Sequence, residues 1–365
     1  MAERAEAMRA FLDSAGWRGA ALAPLPGDAS TRRYVRVSRG SGRAMLMDQP
    51  QNAETPQCPP GATPEERRAL GYNAMTRLAA GDVGRFVAVA QYLRSRGLSA
   101  PEVYFADPAA GFALIEDLGD DLFDRVIADG GDEAELYAAA TDVLAALHGD
   151  GAPAMLSADK PLYPYDATAQ LAEVDLMTEW FVPLAFGRSA TGHEISEHRD
   201  LWRAALAVPM AQPSVFVHRD YHAQNLLWLP ARKGAARVGL LDFQDAVAGS
   251  RAQDLMHLVE DARRDVTEET RAMALGRYLA ARGLDAERFG AEMATIAAQR
   301  NARIVGIFAR LYKRDNKPRY LDYLPRVWGH LSRDLEHPAL GALKAWYDAM
   351  FPVELRGRPR VEVNA

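Results

Sequence analysis

The chain has 365 residues, of which 48% are hydrophobic and 25% are charged. These are the values of an ordinary globular protein, so they exclude a long disordered chain, and the length suits two domains or one two-lobed enzyme. The formal charge of −6 and a pI near 5.8 argue against a general nucleic-acid or anionic-membrane binder.

The only cysteine, Cys58, excludes a disulfide framework and a cysteine-based zinc cluster, and it favours a reducing compartment. The first residues, MAERAEAMRA, lack the apolar stretch of a secretory signal. No run of about 18 apolar residues suggests a membrane span. We therefore expect a cytoplasmic protein that binds neither nucleic acid nor membrane.

The N-terminal third predicts a small antiparallel sheet with one or two helices. A helix over 3–16 precedes two or three short β-prone runs between residues 21 and 49. Residues 50–66 are rich in Pro, Gly and polar residues, which is typical of a loop or a mobile insertion. A helix over 82–97 follows, and then PEVYFAD and GFALIEDLG are predicted as strands.

From residue 132 onward the pattern becomes mainly helical. The predicted helical stretches are 132–149, 167–186, 194–207, 252–264, 267–282 and 286–313. Three short apolar strands, SVFVH, NLLWL and RVGLLDF, interrupt them between residues 214 and 243. We predict an α+β fold with a small sheet-rich lobe over 1–118, which includes an insertion over 50–80, and a larger, mainly helical lobe over 119–365.

The three strands carry the polar groups that indicate chemistry. An apolar strand ends at His218, Asp220 and Asn225 follow, and a hairpin ends in Asp242. Polar groups at the mouths of buried strands are costly unless something binds them. Asp220, Asn225 and Asp242 offer only oxygen, which suits Mg²⁺ on phosphate oxygens. Phosphoryl transfer needs little more than such a metal site and a carboxylate that accepts a hydroxyl proton.

HRDYHAQN resembles the H-x-D-x-x-x-x-N catalytic loop of the protein-kinase-like fold, and LDFQD resembles its metal-binding segment. The His two residues after the Asp is similar to the aminoglycoside phosphotransferase and choline kinase branch. Further segments resemble the anomeric sugar kinases of cell-wall recycling, which phosphorylate N-acetylmuramate and N-acetylglucosamine: LPGDASTRRYVRV, MDQP, IEDLG, DLMHLVED, GIFARLYKRDNKPRYL and LPRVW. The resemblance covers nearly the whole chain, although the stretch over 50–80 is longer than is usual in that family.

The resemblance implies a bilobal protein-kinase-like fold that uses ATP and Mg²⁺ on a small sugar, and we expect a monomer. It makes Asp220 the general base, or the group that orients the acceptor hydroxyl, and it makes Asn225 and Asp242 the Mg²⁺ ligands. His218 and Asp254 are expected to support the catalytic loop. The expected nucleotide-binding groups are the backbone of Glu116 and Leu118 for adenine, and Ser30, Arg32 and Arg33 for the phosphates.

Four residues are candidates for the sugar site: Glu179, Trp180, His222 and Arg300. The basic run that contains Arg300 could form a cationic wall for an anionic acceptor. Each group also has a structural alternative: Trp180 as a core residue, His222 in a loop hydrogen bond, Arg300 on a solvated helix face, and Asp254 as a helix cap.

One departure from the kinase pattern is the missing lysine of the small lobe. All five lysines lie at or after residue 160. Arg32, Arg33 or Arg43 must therefore grip the phosphates, or backbone N–H groups and metal must do so alone. The choice between ATP and GTP stays open.

Three other functions compete with a sugar kinase. One is an aminoglycoside or other small-alcohol phosphotransferase, and another is a nucleotide-binding pseudokinase, which the missing lysine suggests. The third is a metallohydrolase with His218, Asp220, His222 and Asp242 as ligands, although such sites usually need more His and Asp clusters.

Overall fold

The computed structural model describes residues 2–26, 32–50, 58–79 and 81–357. The chain forms two compact units. The first unit comprises Met1–Gly149, Pro153–Tyr163 and His218–Val247, and the second comprises Asp150–Ala152, Pro164–Val217 and Ala248–Ala365. The division differs from the predicted boundary near residue 118, because the later hairpin bonds to the early part of the chain: the Leu240 N–H donates to the Ser99 carbonyl at 2.9 Å.

The described strands are β1 Ala21–Pro24, β2 Arg33–Arg39, β3 Gly42–Asp48, β4 Val103–Asp107, β5 Phe112–Ile115, β6 Val215–Val217, β7 Leu226–Trp228, β8 Val238–Leu240 and β9 Val247–Gly249. The described α-helices are α1 Ala2–Ser14, α2 Pro64–Leu70, α3 Tyr72–Thr76, α4 Val83–Ser95, α5 Phe123–Ala128, α6 Glu133–Leu147, α7 Ala167–Leu176, α8 Val182–Phe186, α9 Gly192–Met210, α10 Ala252–Val259, α11 Glu268–Arg282, α12 Ala286–Asp315, α13 Leu324–Leu335 and α14 Gly341–Met350. The predicted α+β class is confirmed. None of these helices is both long and apolar enough to cross a bilayer.

The first unit is built on a five-stranded antiparallel sheet of order β1-β2-β3-β5-β4. Val35 and Val37 alternate with more exposed residues along β2, as expected for a strand with one face in the core. They pack with Leu46 and Leu114 of the sheet and with Phe11 of α1. The sheet therefore presents one apolar face to the N-terminal helix.

Part of the predicted loop over 50–66 is helical. Helix α2 starts with a capping box, in which Thr63 and Glu66 exchange side-chain and backbone hydrogen bonds, and Pro64 occupies the first turn. The sequence TPEE carried this start signal. The insertion thus contains α2 and α3, while residues 51–57 lie outside the described part of the chain.

Helix α12 is the central element of the second unit. Gly306 allows it to approach α7 closely, since a Cβ there would lie 2.5 Å from the carbonyl carbon of Leu176. Earlier in the same helix, Asn301 donates to Asp334 at 2.8 Å and to Glu260 at 3.1 Å, in a buried polar cluster. Burial, and then the nearby Glu260 carboxylate, raise the pKa of Asp334 well above its usual range.

Candidate active site

The predicted catalytic loop, residues 218–225, and the following hairpin bring Asn225 and Asp242 together. Strands β7 and β8 pair Leu226 with Leu240, and the Leu241 N–H donates to the Asn225 carbonyl at 3.0 Å. Asn225 therefore stands at one end of the hairpin, and Asp242 follows directly at the same end.

Asn225 is tied to Asp220 as well. The Asn225 Nδ2 group donates to the Asp220 carbonyl at 2.9 Å, and the Asn225 N–H donates to the His222 carbonyl at 2.8 Å. Because the amide nitrogen is engaged within the loop, Oδ1 is the Asn225 atom that can reach a cation. One loop and the adjoining hairpin thus collect the three predicted oxygen-bearing residues.

Two non-glycine residues of this region adopt left-handed backbone conformations. Arg219 has φ 84° and Asp242 has φ 58°. Such conformations are strained and cluster at functional sites, where the surrounding structure holds them. Arg219 directly precedes the predicted base, Asp220, and Asp242 is itself a predicted metal ligand.

His218 is the first residue of the predicted catalytic loop and is fully buried. Its Nδ1 accepts the Asp220 N–H at 3.3 Å, and burial lowers the pKa of His218 to about 4. A neutral imidazole at pH 7 suits the structural role rather than proton transfer. Beside it, the Tyr221 hydroxyl donates to the Ala140 carbonyl at 2.9 Å, which anchors the loop to α6.

Arg32 is the cation that lies against the predicted metal ligand. Its Nη1 donates to Asp242 Oδ1 at 2.8 Å, and its Nε donates to Gln49 Oε1 at 3.1 Å. Burial alone would raise the pKa of Asp242, but Arg32 outweighs that effect and lowers it, so the carboxylate is ionised at neutral pH. The Asp242 side chain keeps 42% of its surface exposed, while that of Arg32 is 12% exposed.

The other phosphate candidates are placed differently. Arg33 is exposed at the start of β2, and Arg43 is 65% exposed and lies 3.8 Å from Asp117. Ser30 lies outside the described residues. Arg32 is thus the described candidate that reaches the Asp242 carboxylate.

The predicted hinge is fixed from both sides within the first unit. The Glu116 N–H donates to the Glu102 carbonyl at 2.8 Å, and the Glu116 side chain accepts from Arg232. Arg36 on β2 donates to Asp117 at 2.8 Å. The carbonyl of Glu116 and the backbone of Leu118 are therefore the hinge groups to consider for adenine.

The His222 side chain lies next to the Asn225 side chain within the loop. It is buried, its N–H donates to the Asp220 carbonyl at 3.1 Å, and its Nε2 lies 3.4 Å from Asn225 Nδ2. These contacts help to hold Asn225 in position.

The remaining predicted site residues belong to the second unit. Asp254 is fully buried in the first turn of α10. Glu179 is exposed and Trp180 is half-buried on a π-helical turn, Met177–Phe181. Partial desolvation of the carboxylate still raises the pKa of Glu179, against the opposing charges of Arg310 and Arg199. Arg300 is buried and donates to the Glu260 carbonyl at 2.7 Å, so it forms neither a cationic wall nor the solvated helix face that was its alternative.

The donor set fits one kind of metal. The described ranges hold no cluster of three His, Cys, Asp or Glu side chains arranged for a metal ion. The Asn225 and Asp242 oxygens instead suit Mg²⁺, which takes few protein ligands and completes its shell with water and substrate phosphates.

Comparisons with known proteins agree with this chemistry. The profile of the "Phosphotransferase enzyme family" matches residues 21–292. An N-acetylmuramate/N-acetylglucosamine kinase of Caulobacter vibrioides is 50% identical over 97% of this chain and 98% of its own, and one of Pseudomonas putida is 31% identical over 84% and 80%.

Solved structures share the fold at low sequence identity. An ADP-bound aminoglycoside phosphotransferase APH(2'')-Ib is 16% identical with a TM-score of 0.54, and the match covers 93% of this chain and 98% of that one. A microcompartment-associated aminopropanol kinase is 14% identical with a TM-score of 0.58, over 89% and 94%. The family profile, together with this shared fold, confirms the predicted resemblance to the aminoglycoside phosphotransferase and choline kinase branch.

Proposed function

This chain belongs to the phosphotransferase enzyme family, and on that premise we propose that it transfers the γ-phosphate of ATP to the anomeric hydroxyl of N-acetylmuramate and N-acetylglucosamine. The observation that carries the proposal is the near full-length similarity to a kinase named for these two sugars. The Asp220, Asn225 and Asp242 set, held by one loop and one hairpin, supports phosphoryl transfer as its chemistry. We place this reaction in the cytoplasm, where ATP is available.

In this proposal Asp220 accepts the proton of the sugar hydroxyl, or orients that hydroxyl, as the phosphate is transferred. Asn225 Oδ1 and the Asp242 carboxylate hold Mg²⁺. When bound, Mg²⁺ supplies positive charge to the phosphate oxygens. Arg32 grips a phosphate with its planar guanidinium and takes the place of the missing lysine.

For the acceptor we keep Glu179, Trp180 and His222 as candidates. The exposed carboxylate of Glu179 can accept sugar hydroxyls, and the Trp180 ring can stack on a pyranose face. Neither role involves Arg300, because its guanidinium is used inside the helices of the second unit.

The test is a substrate panel. The purified chain is incubated with Mg-ATP and with N-acetylmuramate, N-acetylglucosamine or kanamycin, ADP release is measured by a coupled assay, and ³¹P NMR identifies the phosphorylated position. We expect turnover with the two acetylated sugars, phosphate at position 1, and none with kanamycin. Preferential turnover of kanamycin would identify an aminoglycoside phosphotransferase instead. ADP binding without turnover of any acceptor would identify a pseudokinase.

A further inference from the structure

The insertion over 50–80 is bonded to the segment that carries the predicted metal ligand. Its last described backbone donor, the Ala79 N–H, donates to Asp245 Oδ1 at 2.6 Å. Asp245 follows Asp242 by three residues, so this bond joins two segments that are 166 residues apart in the chain. Both partners lie in the first unit.

Asp245 is in turn connected to Asp242 through one side chain. Gln244 Nε2 donates to Asp242 Oδ1 at 3.0 Å and lies 3.4 Å from Asp245 Oδ2. Gln244 is buried, with 4% of its surface exposed, so solvent cannot replace these contacts readily. The order of contacts runs from the insertion to Asp245, then to Gln244, and then to the metal-binding carboxylate.

A buried arginine holds the main chain on both sides of Asp245. Arg85 of α4, which is 3% exposed, donates to the Gln244 carbonyl at 3.2 Å and to the Ala246 carbonyl at 2.8 Å. The backbone of this segment is therefore fixed independently of Asp245. Loss of the Asp245 side chain should release Gln244 without unfolding the segment.

The insertion is itself braced against the same region. The guanidinium groups of Arg77 and Arg85 lie 4.9 and 4.7 Å from the centre of the Tyr163 ring. The Tyr163 hydroxyl donates to the Cys58 carbonyl at 2.8 Å, and Arg77 donates to the Cys58 thiol. The buried cysteine is thus part of the support of the insertion, and Ala79 is held in place relative to Asp245.

We propose that Asp245 is a positioning residue that transmits the placement of the insertion to the metal-binding Asp242. The proposal rests on the proposed function, because it takes Asp242 as a Mg²⁺ ligand. With both carboxylate oxygens of Asp245 engaged by protein donors, its role is to fix Gln244, and Gln244 fixes the direction of the Asp242 carboxylate. Partners that orient a metal ligand in this way typically change metal affinity or activity by about 10-fold to 100-fold.

The experiment compares Asp245→Ala with Asp245→Asn and with a matched control, Asp107→Ala. Asp107 also accepts a backbone N–H, that of Ala110 at 2.9 Å, but in a turn of the sheet away from the site. ADP binding is measured by calorimetry with and without Mg²⁺, alongside the Mg²⁺ dependence of turnover and the melting temperature.

We expect Asp245→Ala to raise the half-saturating Mg²⁺ concentration about 10-fold or more, while ADP binding without Mg²⁺ stays within about twofold. Asp245→Asn keeps one acceptor oxygen for the Ala79 N–H but turns an amide N–H₂ group toward Gln244 Nε2, so it should reproduce most of the effect of Asp245→Ala on the Mg²⁺ requirement. Ala79→Pro, which removes the donor, should reproduce Asp245→Ala, and the double variant should add nothing further.

Two results would overturn the proposal. One is an unchanged Mg²⁺ requirement in Asp245→Ala together with a lower melting temperature, since that describes a purely structural contact. The other is an equal effect in Asp107→Ala. A separate variant tests the proposed function itself. If Asp242 is not a Mg²⁺ ligand, Asp242→Asn should leave the Mg²⁺ requirement of ADP binding unchanged.

Discussion

Replacement of Arg32 by alanine removes the cation that lies between the predicted metal site and strand β3. Arg32 reaches Asp242 at 2.8 Å and Gln49 at 3.1 Å, and its neighbour in sequence, Arg33, is exposed. If Arg32 grips a phosphate, its loss should lower kcat/KM for ATP and leave KM for the sugar unchanged.

The magnitude follows from the contact type and its surroundings. A hydrogen bond that involves a charged group contributes about 1.5–3 kcal/mol, which corresponds to about 10-fold to 150-fold in kcat/KM. The Asp242 side chain is 42% exposed, so solvent screens the site and the lower half of that range is expected. Arg32→Lys should recover part of the loss, because an ammonium group keeps the charge but not the planar fork.

The assay is steady-state ADP release with ATP varied at saturating sugar, and then with sugar varied at saturating ATP. Arg33→Ala is the matched control, since it removes one arginine from the adjacent position. The reasoning would be refuted if Arg33→Ala reduced kcat/KM for ATP as strongly as Arg32→Ala, or if Arg32→Ala stayed within about twofold of wild type.

Three further results are expected. Asp220→Asn should lower kcat by about 10²-fold or more, the scale of general-base loss, with ADP binding by calorimetry retained; loss of both would indicate a folding role. Because burial and Glu260 raise the pKa of Asp334, the stability that this group contributes is present at low pH and is lost as pH rises from its unfolded pKa through its folded pKa. Asp334→Asn should therefore raise the melting temperature more at pH 8 than at pH 4, and an equal gain at both would contradict this. Gly306→Ala places a Cβ 2.5 Å from a backbone carbon of α7 and should lower the free energy of unfolding in urea by about 1–3 kcal/mol, whereas Gly329→Ala, with open space around it, should not.

Local sequence indicated where the three candidate oxygen-bearing residues lie because they are close along the chain. Asp220 and Asn225 lie in one loop, and a short hairpin carries the chain from Asn225 to Asp242. The residue types at the ends of buried strands were therefore enough to indicate where oxygen-bearing side chains collect. The contact between Arg32 and Asp242 joins residues 210 apart, so the sequence could nominate three arginines but could not choose among them.

One helix also shows that local sequence does not predict the effect of long-range packing. The stretch over 167–186 was predicted as one helix, but it contains the π-helical turn Met177–Phe181. Pro183 cannot donate to the carbonyl four residues earlier, and the close approach of Gly306 to Leu176 fixes the chain just before the turn. The proline is visible in the sequence, whereas the close approach depends on tertiary packing.

Arg32, the proposed replacement for the strand lysine, is held by a second residue. Arg33 pairs with Asp48 in the β2–β3 register, which puts Arg32 opposite Gln49, and the Gln49 side chain accepts from Arg32. Arg32, just before β2, thus reaches Asp242 because Gln49, just after β3, holds its guanidinium. Gln49→Ala should then lower the same constant as Arg32→Ala, kcat/KM for ATP, but by less, since the charge remains. In a double-mutant cycle the two losses should not add; additive losses would show that Gln49 does not act through Arg32.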